Sequence, residues 1–268
     1  MLLNAASLAI AACLILSAGI GAAHAQGFAA LVSPPRFELE VKPGESHREV
    51  IEITNASGQP AKYHTRTADW TLGVDGSVKF EPDALQPGSC RPWVALEARD
   101  ITVSPGGKYR FRFDVGPPAD APAGECRFAV LIEGGDQRVE LSGGPSFPIA
   151  ARLGVIVYVQ VGAAKPALEV VGTKVGPVES QQLPILMVKN TGTAHGRLTG
   201  FLNGTDAAGH KLEFTPSTLP ILPGETRAIP LTLHLEREER VAIQYPITIS
   251  GKLEWSDRNT PFEQTFTQ

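Results

Sequence analysis

The chain has 268 residues, a formal net charge of −4 at pH 7 and three cysteines. A mildly acidic chain lacks the basic stripe that nucleic-acid binding requires, so nucleic acid is excluded as a partner. The length that remains after removal of a leader suits two domains of ordinary size.

The N-terminal residues 1–25 are predicted to be a signal peptide that is cleaved on export. An apolar run from Ala5 to Ala22 ends in the small-residue sequence Ala23-His24-Ala25, so we expect the mature chain to begin at Gln26. Lipidation at Cys13 is the alternative. No other run approaches the roughly 20 apolar residues that span a bilayer, so no membrane span is expected in the mature chain.

Short alternating apolar runs, separated by proline and glycine, predict an all-β fold of two tandem β-sandwich domains. The N-terminal domain is expected at 26–162 and the C-terminal domain at 166–268, with a short linker between them. In the first half, strands are predicted at 36–41, 48–54, 61–72, 93–96, 108–115, 126–133 and 149–161. In the second half, strands are predicted at 168–175, 183–189, 197–203, 227–235, 247–255 and 262–266.

The two halves resemble one unit used twice. Asn55 ends the second predicted strand of the first half, and Asn190 ends a corresponding strand of the second half. Each half then has a Pro-Gly turn, at 105–106 and at 223–224, that begins another alternating strand. Asn55 and Asn203 also match the glycosylation sequence, but we interpret both as turn residues, where asparagine is common.

Two cysteines remain after the predicted cleavage, Cys90 and Cys126. In an oxidising compartment such a pair is most simply a structural disulfide. A redox pair or a metal site is the alternative, but there is no CxxC spacing and no histidine near either cysteine in the sequence.

No catalytic residue, metal ligand or cofactor site is predicted, so we expect the protein not to be an enzyme. The histidines are scattered, and no HExxH motif, GxSxG elbow or phosphate-binding glycine loop is present. His64 and Asp69 share a predicted strand but lie on its opposite faces, so they do not converge. The charged run 236–240 is predicted to be a solvated loop or a single helical turn, with a recognition patch as the alternative.

The most apolar strand covers 152–161 and carries five apolar residues at period two: Leu153, Val155, Val157, Val159 and Val161. Its other face is mixed, with Arg152, Gly154, Ile156, Tyr158 and Gln160. Such a stripe either closes a sandwich core or binds a partner. One strand can do both, when one face lies in the core and the backbone edge stays open.

The order and spacing of several motifs resemble those of the periplasmic pilus chaperones of the PapD type. The resemblance implies two immunoglobulin-like β-sandwich domains, over the whole mature chain in architecture and over 32–161 in sequence. The motifs are Arg36-Phe37, the run 51–55 with Pro60-Ala61, Trp93-Val94, the run 101–106, and the loop 118–122 before the strand 125–130.

The resemblance implies a periplasmic chaperone that binds and caps a pilin-like or other surface-fibre subunit by β-strand addition, with an outer-membrane usher as a further partner. In that family a first-strand arginine and a seventh-strand lysine bind the subunit's terminal carboxylate. Arg36 matches the arginine, whereas Val155 stands where the lysine is expected and Arg152 points to the opposite face. The predicted subunit-binding residues are Arg36, Arg152, Leu153, Val155, Val157, Tyr158 and Val159.

Two other functions stay open from the sequence. One is a structural or adhesive tandem β-sandwich that is itself a component of a cell-surface assembly. The other is a carbohydrate-binding module, which the three dispersed tryptophans support weakly because they form no evident aromatic platform.

Overall fold

The computed structural model describes residues 29–135, 137–140, 146–149, 151–179, 181–234 and 242–268. The predicted signal peptide and the charged run 236–240 lie outside these residues. Within the described ranges the secondary structure is β-strand with one 3-10 turn, Arg91–Trp93. No helix among them is long and apolar enough to cross a membrane.

The first twelve strands build the first sandwich. Their bounds are β1 Ala30–Ser33, β2 Arg36–Val41, β3 His47–Asn55, β4 Ala61–Leu72, β5 Val78–Glu81, β6 Val94–Leu96, β7 Asp100–Val103, β8 Lys108–Val115, β9 Gly124–Gly134, β10 Gln137–Glu140, β11 Ser146–Ile149 and β12 Arg152–Val161. One sheet has the order β1-β3-β8-β6 and the other β2-β12-β9-β4-β5, with β7 also paired to β4. Strands β10 and β11 pair with each other as a hairpin.

The last seven strands build the second sandwich. Their bounds are β13 Leu168–Val178, β14 Gln181–Asn190, β15 Leu202–Thr205, β16 Lys211–Pro216, β17 Thr226–Leu233, β18 Ile247–Trp255 and β19 Arg258–Phe266. The strand order is β13-β14-β17-β16-β15-β18-β19. Strand β17 pairs with β14 through its first half and with β16 through its second half, so it joins the two layers. The fold is therefore two tandem immunoglobulin-like β-sandwiches, and the predicted fold class is confirmed.

The core of the first sandwich lies between its two sheets. Alternate residues of each strand face inward because successive side chains of a strand point to opposite sides. Phe113 of β8 lies at the centre, with edge-to-face ring contacts to Phe37 and Phe128 at centroid distances of 5.4 and 6.0 Å. A separate buried cluster fills the second sandwich around Phe214 and Phe266.

The repeated asparagines have matching roles. Asn55 is fully buried, and its amide group donates to the carbonyls of Gln59, Val103 and Ser104. Asn190 is also fully buried, and its amide group donates to the carbonyls of Ala194 and Ile221. Each side chain thus ties a strand end to two neighbouring loops, so the turn interpretation of Asn55 is confirmed. The turn interpretation of Asn203 is wrong, because Asn203 lies within β15 and pairs with Glu213 and Ser250 on the two neighbouring strands.

The predicted disulfide between Cys90 and Cys126 is present, and it joins the segment after β5 to the start of β9. Trp93, predicted to begin a strand, instead ends the 3-10 turn that Pro92 helps to start. The buried cysteine at position 90 packs with the first core.

Two predicted strands differ from the structure. The strand predicted at 149–161 is divided, since Ile149 ends β11 and the next strand begins at Arg152. Most of the strand predicted at 197–203 is irregular because Gly200 has a φ of 129°, a conformation that favours glycine, and β15 begins only at Leu202. Six strands were not predicted, and five of these have only four residues, too few for a clear alternation: β1, β5, β7, β10, β11 and β16.

Candidate functional site

The apolar stripe of β12 lies in the core of the first sandwich. Val155, Val157 and Val159 are each 0% exposed, and Val161 is nearly so. In register, Val157 lies between Phe128 of β9 and Phe37 of β2. Of the two interpretations of the stripe, the core face therefore applies to these valines, and their side chains are not available to a partner in this fold.

Leu153, at the beginning of the stripe, is only partly buried and packs against the edge of the same core. It is the one residue of the predicted apolar contact set that keeps exposed surface. Side-chain contacts between a subunit and this strand are thus possible only at the first residues of β12.

The backbone of β12 has an open edge at the same end. All ten residues of β12 pair with β9, but β2 pairs only with Ile156–Val161. The four residues 152–155 therefore have a strand on one side only among the described residues. Strands β10 and β11 form a separate two-stranded sheet, in which β11 likewise pairs with β10 alone in the described part of the chain.

The direction of the backbone groups follows from two hydrogen bonds. The amide of Ile156 donates to the carbonyl of Pro35 on the β2 side, whereas the carbonyl of Ala151 accepts from Gly134 on the β9 side. Because these directions alternate along a strand, the amides of Arg152 and Gly154 point into the open edge. This edge can accept an added strand without breaking any hydrogen bond of the sheet.

Arg36 and Arg152 lie on the same face of the sheet, because Arg36 is the register partner of Ile156 and Arg152 is four residues before it. That separation corresponds to about 13 Å along the strand. The Nε atom of Arg36 is 2.9 Å from Oε1 of Glu38, and its side chain is 49% exposed. The Nε atom of Arg152 is 2.7 Å from Oε1 of Glu133. The two guanidinium groups thus flank the open edge, whereas Val155, in the expected lysine position, faces the core.

Tyr158 is not near the open edge. Its ring is 2% exposed and packs edge-to-face on Trp70 at 5.5 Å and face-to-face on His195 of the second sandwich at 3.8 Å. Burial raises the pKa of its hydroxyl. Tyr158 therefore belongs to the contact between the two sandwiches, a role that its sequence position did not reveal.

Contacts between the sandwiches involve further residues that the sequence did not single out. His195 contacts both Glu38 and Glu125 of the first sandwich. Arg227 is 4% exposed and donates to the carbonyl of Gly73 at 2.8 Å. Leu222 packs on an apolar cluster that includes Trp70 and Tyr158 on the outer face of the β12 sheet. The sequence held one signal of this contact, which is that the outer face of β12 includes the apolar Ile156 and Tyr158. A face fully exposed to solvent would carry fewer apolar residues.

His64 and Asp69, which share β4, remain apart and have separate partners. His64 is 3.0 Å from Asp100, whereas Asp69 accepts from Arg91 and from the amide of Gln86. Within the described ranges, no three histidine, cysteine, aspartate or glutamate side chains lie together as a metal site would require.

Solved structures similar to this chain include several chaperones. The CupB2 chaperone of Pseudomonas aeruginosa is 13% identical, with 88% of this chain and 100% of that chain covered and a TM-score of 0.44. The DraB chaperone of E. coli is 13% identical, with 90% and 97% covered and a TM-score of 0.44. A chain from the complex of the SafA pilin with the SafB chaperone of Salmonella enterica is 12% identical, with 90% and 97% covered and a TM-score of 0.45.

No protein-family model matches the chain, and no curated protein matches it.

Proposed function

We propose that the protein is a divergent periplasmic chaperone of the PapD type that binds and caps a pilin-like or other fibre subunit by β-strand addition. The observation that carries the proposal is the open edge at 152–155, where β12 has lost its β2 neighbour. Main-chain hydrogen bonds to an added strand supply affinity, and the partly exposed Leu153 supplies an apolar contact. No nucleotide or metal is required, because strand pairing and apolar burial provide the free energy.

Arg36 and Arg152 are the proposed carboxylate-binding residues. Both are partly exposed cations on the sheet face beside the open edge, and guanidinium groups bind carboxylates through two parallel hydrogen bonds. Each now contacts a glutamate of its own chain, so an incoming carboxylate would replace Glu38 or Glu133 as the acceptor. Arg152 thereby takes the place of the lysine that this sequence lacks.

A proline at position 152 tests strand addition. The amide of Arg152 points away from β9, so Arg152→Pro deletes a donor of the open edge and no hydrogen bond of the sheet. Arg152→Ala is the matched control, because it also removes the ion pair with Glu133 but keeps the amide. We expect Arg152→Ala to retain subunit binding with a modest loss and Arg152→Pro to lose at least about tenfold, while both variants keep melting temperatures close to each other.

The measurement is capture of a subunit from periplasmic extract by the tagged mature protein, followed by titration of the identified subunit against both variants. Equal affinity of the two variants would show that the edge does not bind the subunit. Release of the captured subunit by a competing strand would support the chaperone function. Permanent retention of the subunit would instead favour the alternative that the protein is a structural component of a fibre.

A further inference from the structure

His195 lies at the contact between the two sandwiches. It belongs to the segment between β14 and β15, and its imidazole is 3% exposed and stacked on Tyr158 of β12. The backbone is fixed on both sides of the ring, since Glu125 donates its amide to the carbonyl of Thr193 at 2.9 Å and His195 donates its amide to Glu125 at 3.1 Å. The ring therefore has little freedom to choose other partners.

Both ring nitrogens face a carboxylate of the first sandwich. Nδ1 is 2.6 Å from Oε2 of Glu125, whose side chain is 1% exposed, and Nε2 is 3.5 Å from Oε1 of Glu38. A carboxylate only accepts hydrogen bonds, and a neutral imidazole has one nitrogen that also only accepts. The geometry thus fits the doubly protonated imidazolium, because the neutral ring would oppose a lone pair to one of the two carboxylates.

The other charged groups around the ring act mainly on Glu38. Nε of Arg36 is 2.9 Å and Nε of Arg197 is 3.7 Å from the same Oε1 atom of Glu38. Arg197 also lies over the ring of Tyr158 at 5.8 Å. The positive charge of Arg127 of β9 also acts on the Tyr158 hydroxyl, whose pKa burial raises and this charge lowers. Two carboxylates thus face the imidazole directly, and the guanidinium groups lie behind one of them.

We propose that His195, Glu125 and Glu38 form a proton-dependent latch that holds the second sandwich against the first. In the protonated state a buried cation bridges two carboxylates of the other sandwich. Loss of the proton removes that cation and leaves the buried Glu125 carboxylate opposite a neutral ring, which weakens this part of the contact. The hydrogen bond from Arg227 to the carbonyl of Gly73 does not involve a carboxylate of the first sandwich, so it persists when His195 loses its proton.

The pKa shifts support this direction. Burial lowers the pKa of His195, but the hydrogen bonds and charges of Glu125 and Glu38 outweigh it, and the net shift is upward from 6.5. The hydrogen bond from His195 lowers the pKa of Glu38 from 4.5 to about 2, against the opposing effect of burial. A raised histidine pKa contributes stability that is complete below pH 6.5 and is lost as the pH rises through the raised value. The latch is therefore closed in mildly acidic solution and opens towards alkaline pH.

Amide hydrogen exchange of the full mature protein, measured by NMR alongside the titration of the His195 ring, tests the latch. We expect the protection factors of the Glu125 and His195 amides to fall at least about tenfold as His195 loses its proton. The amide of Asn190, which donates to Glu225 inside the second sandwich, should keep its protection. In His195→Gln the Glu125 amide should have low protection that does not depend on pH.

His210→Gln is the matched control, because His210 also contacts a carboxylate, Asp206 at 3.0 Å, but within the second sandwich. It should behave as the wild-type protein. Glu38→Gln retains Glu125, and we expect it to shift the His195 midpoint and the Glu125 exchange transition together to lower pH. Constant Glu125 protection through the His195 titration, or a Glu38→Gln variant with an unmoved midpoint, would overturn the latch.

Discussion

Replacement of Val157 by alanine measures whether the stripe of β12 belongs to the core. Val157 is 0% exposed between Phe128 and Phe37, so the substitution removes two methyl groups from a fully packed site. Their transfer free energy is about 1.6 kcal/mol at about 0.8 kcal/mol each, and the cavity that remains adds about 1 kcal/mol. We expect the free energy of unfolding to fall by about 2.5 kcal/mol and the melting temperature by about 5–10 °C.

The assay is differential scanning calorimetry of the mature protein, combined with the subunit titration described above. Val171→Ala is the matched control, since Val171 of β13 is 49% exposed and the same two methyl groups are removed. Its expected change is within about 0.5 kcal/mol. Val157→Ala should bind the subunit nearly as well as the wild type at a temperature where it stays folded. A variant of unchanged stability that no longer binds the subunit would refute the core assignment.

Two further predictions concern the first sandwich. The double substitution Cys90→Ala/Cys126→Ala removes the disulfide between residues that are 36 apart in sequence. We expect it to lower the free energy of unfolding, measured by denaturant unfolding, by about 4 kcal/mol. A loss below about 1 kcal/mol would contradict this prediction. Gly154→Ala places a methyl group 2.1 Å from Cζ of Phe80 and should cost about 1–3 kcal/mol in the same assay. Combination with Phe80→Leu should recover part of this loss, and an absence of recovery would show that the Phe80 ring is not the cause.

The open edge and the latch lie close to each other along one strand. Residues 152–155 of β12 lack a second neighbour, whereas Tyr158, three residues further, is covered by His195. Glu38 links the two regions, because it contacts both Arg36, a proposed carboxylate-binding residue, and His195. Opening of the latch would therefore alter the electrostatic surroundings of Arg36 as well as the contact between the sandwiches.

The sequence by itself determined much of the fold. Alternation at period two predicted β2, β4, β8 and β18 with their observed bounds, because these strands are long enough for one buried face to be evident. The even pair of cysteines predicted the disulfide, and the repeated asparagine turns predicted equivalent strand ends in the two halves. These features depend on local backbone geometry and on composition, which a single sequence records.

Only the tertiary structure decided which part of β12 has an open backbone edge. An apolar stripe looks the same whether it faces a core or a subunit, and the distinction depends on β2, which is distant in sequence and pairs with only part of the strand. The roles of Tyr158, Glu38, Glu125 and His195 also required the docking of the second sandwich. The sequence does not record which side chains from different domains meet, because that contact depends on how two separately folded surfaces pack.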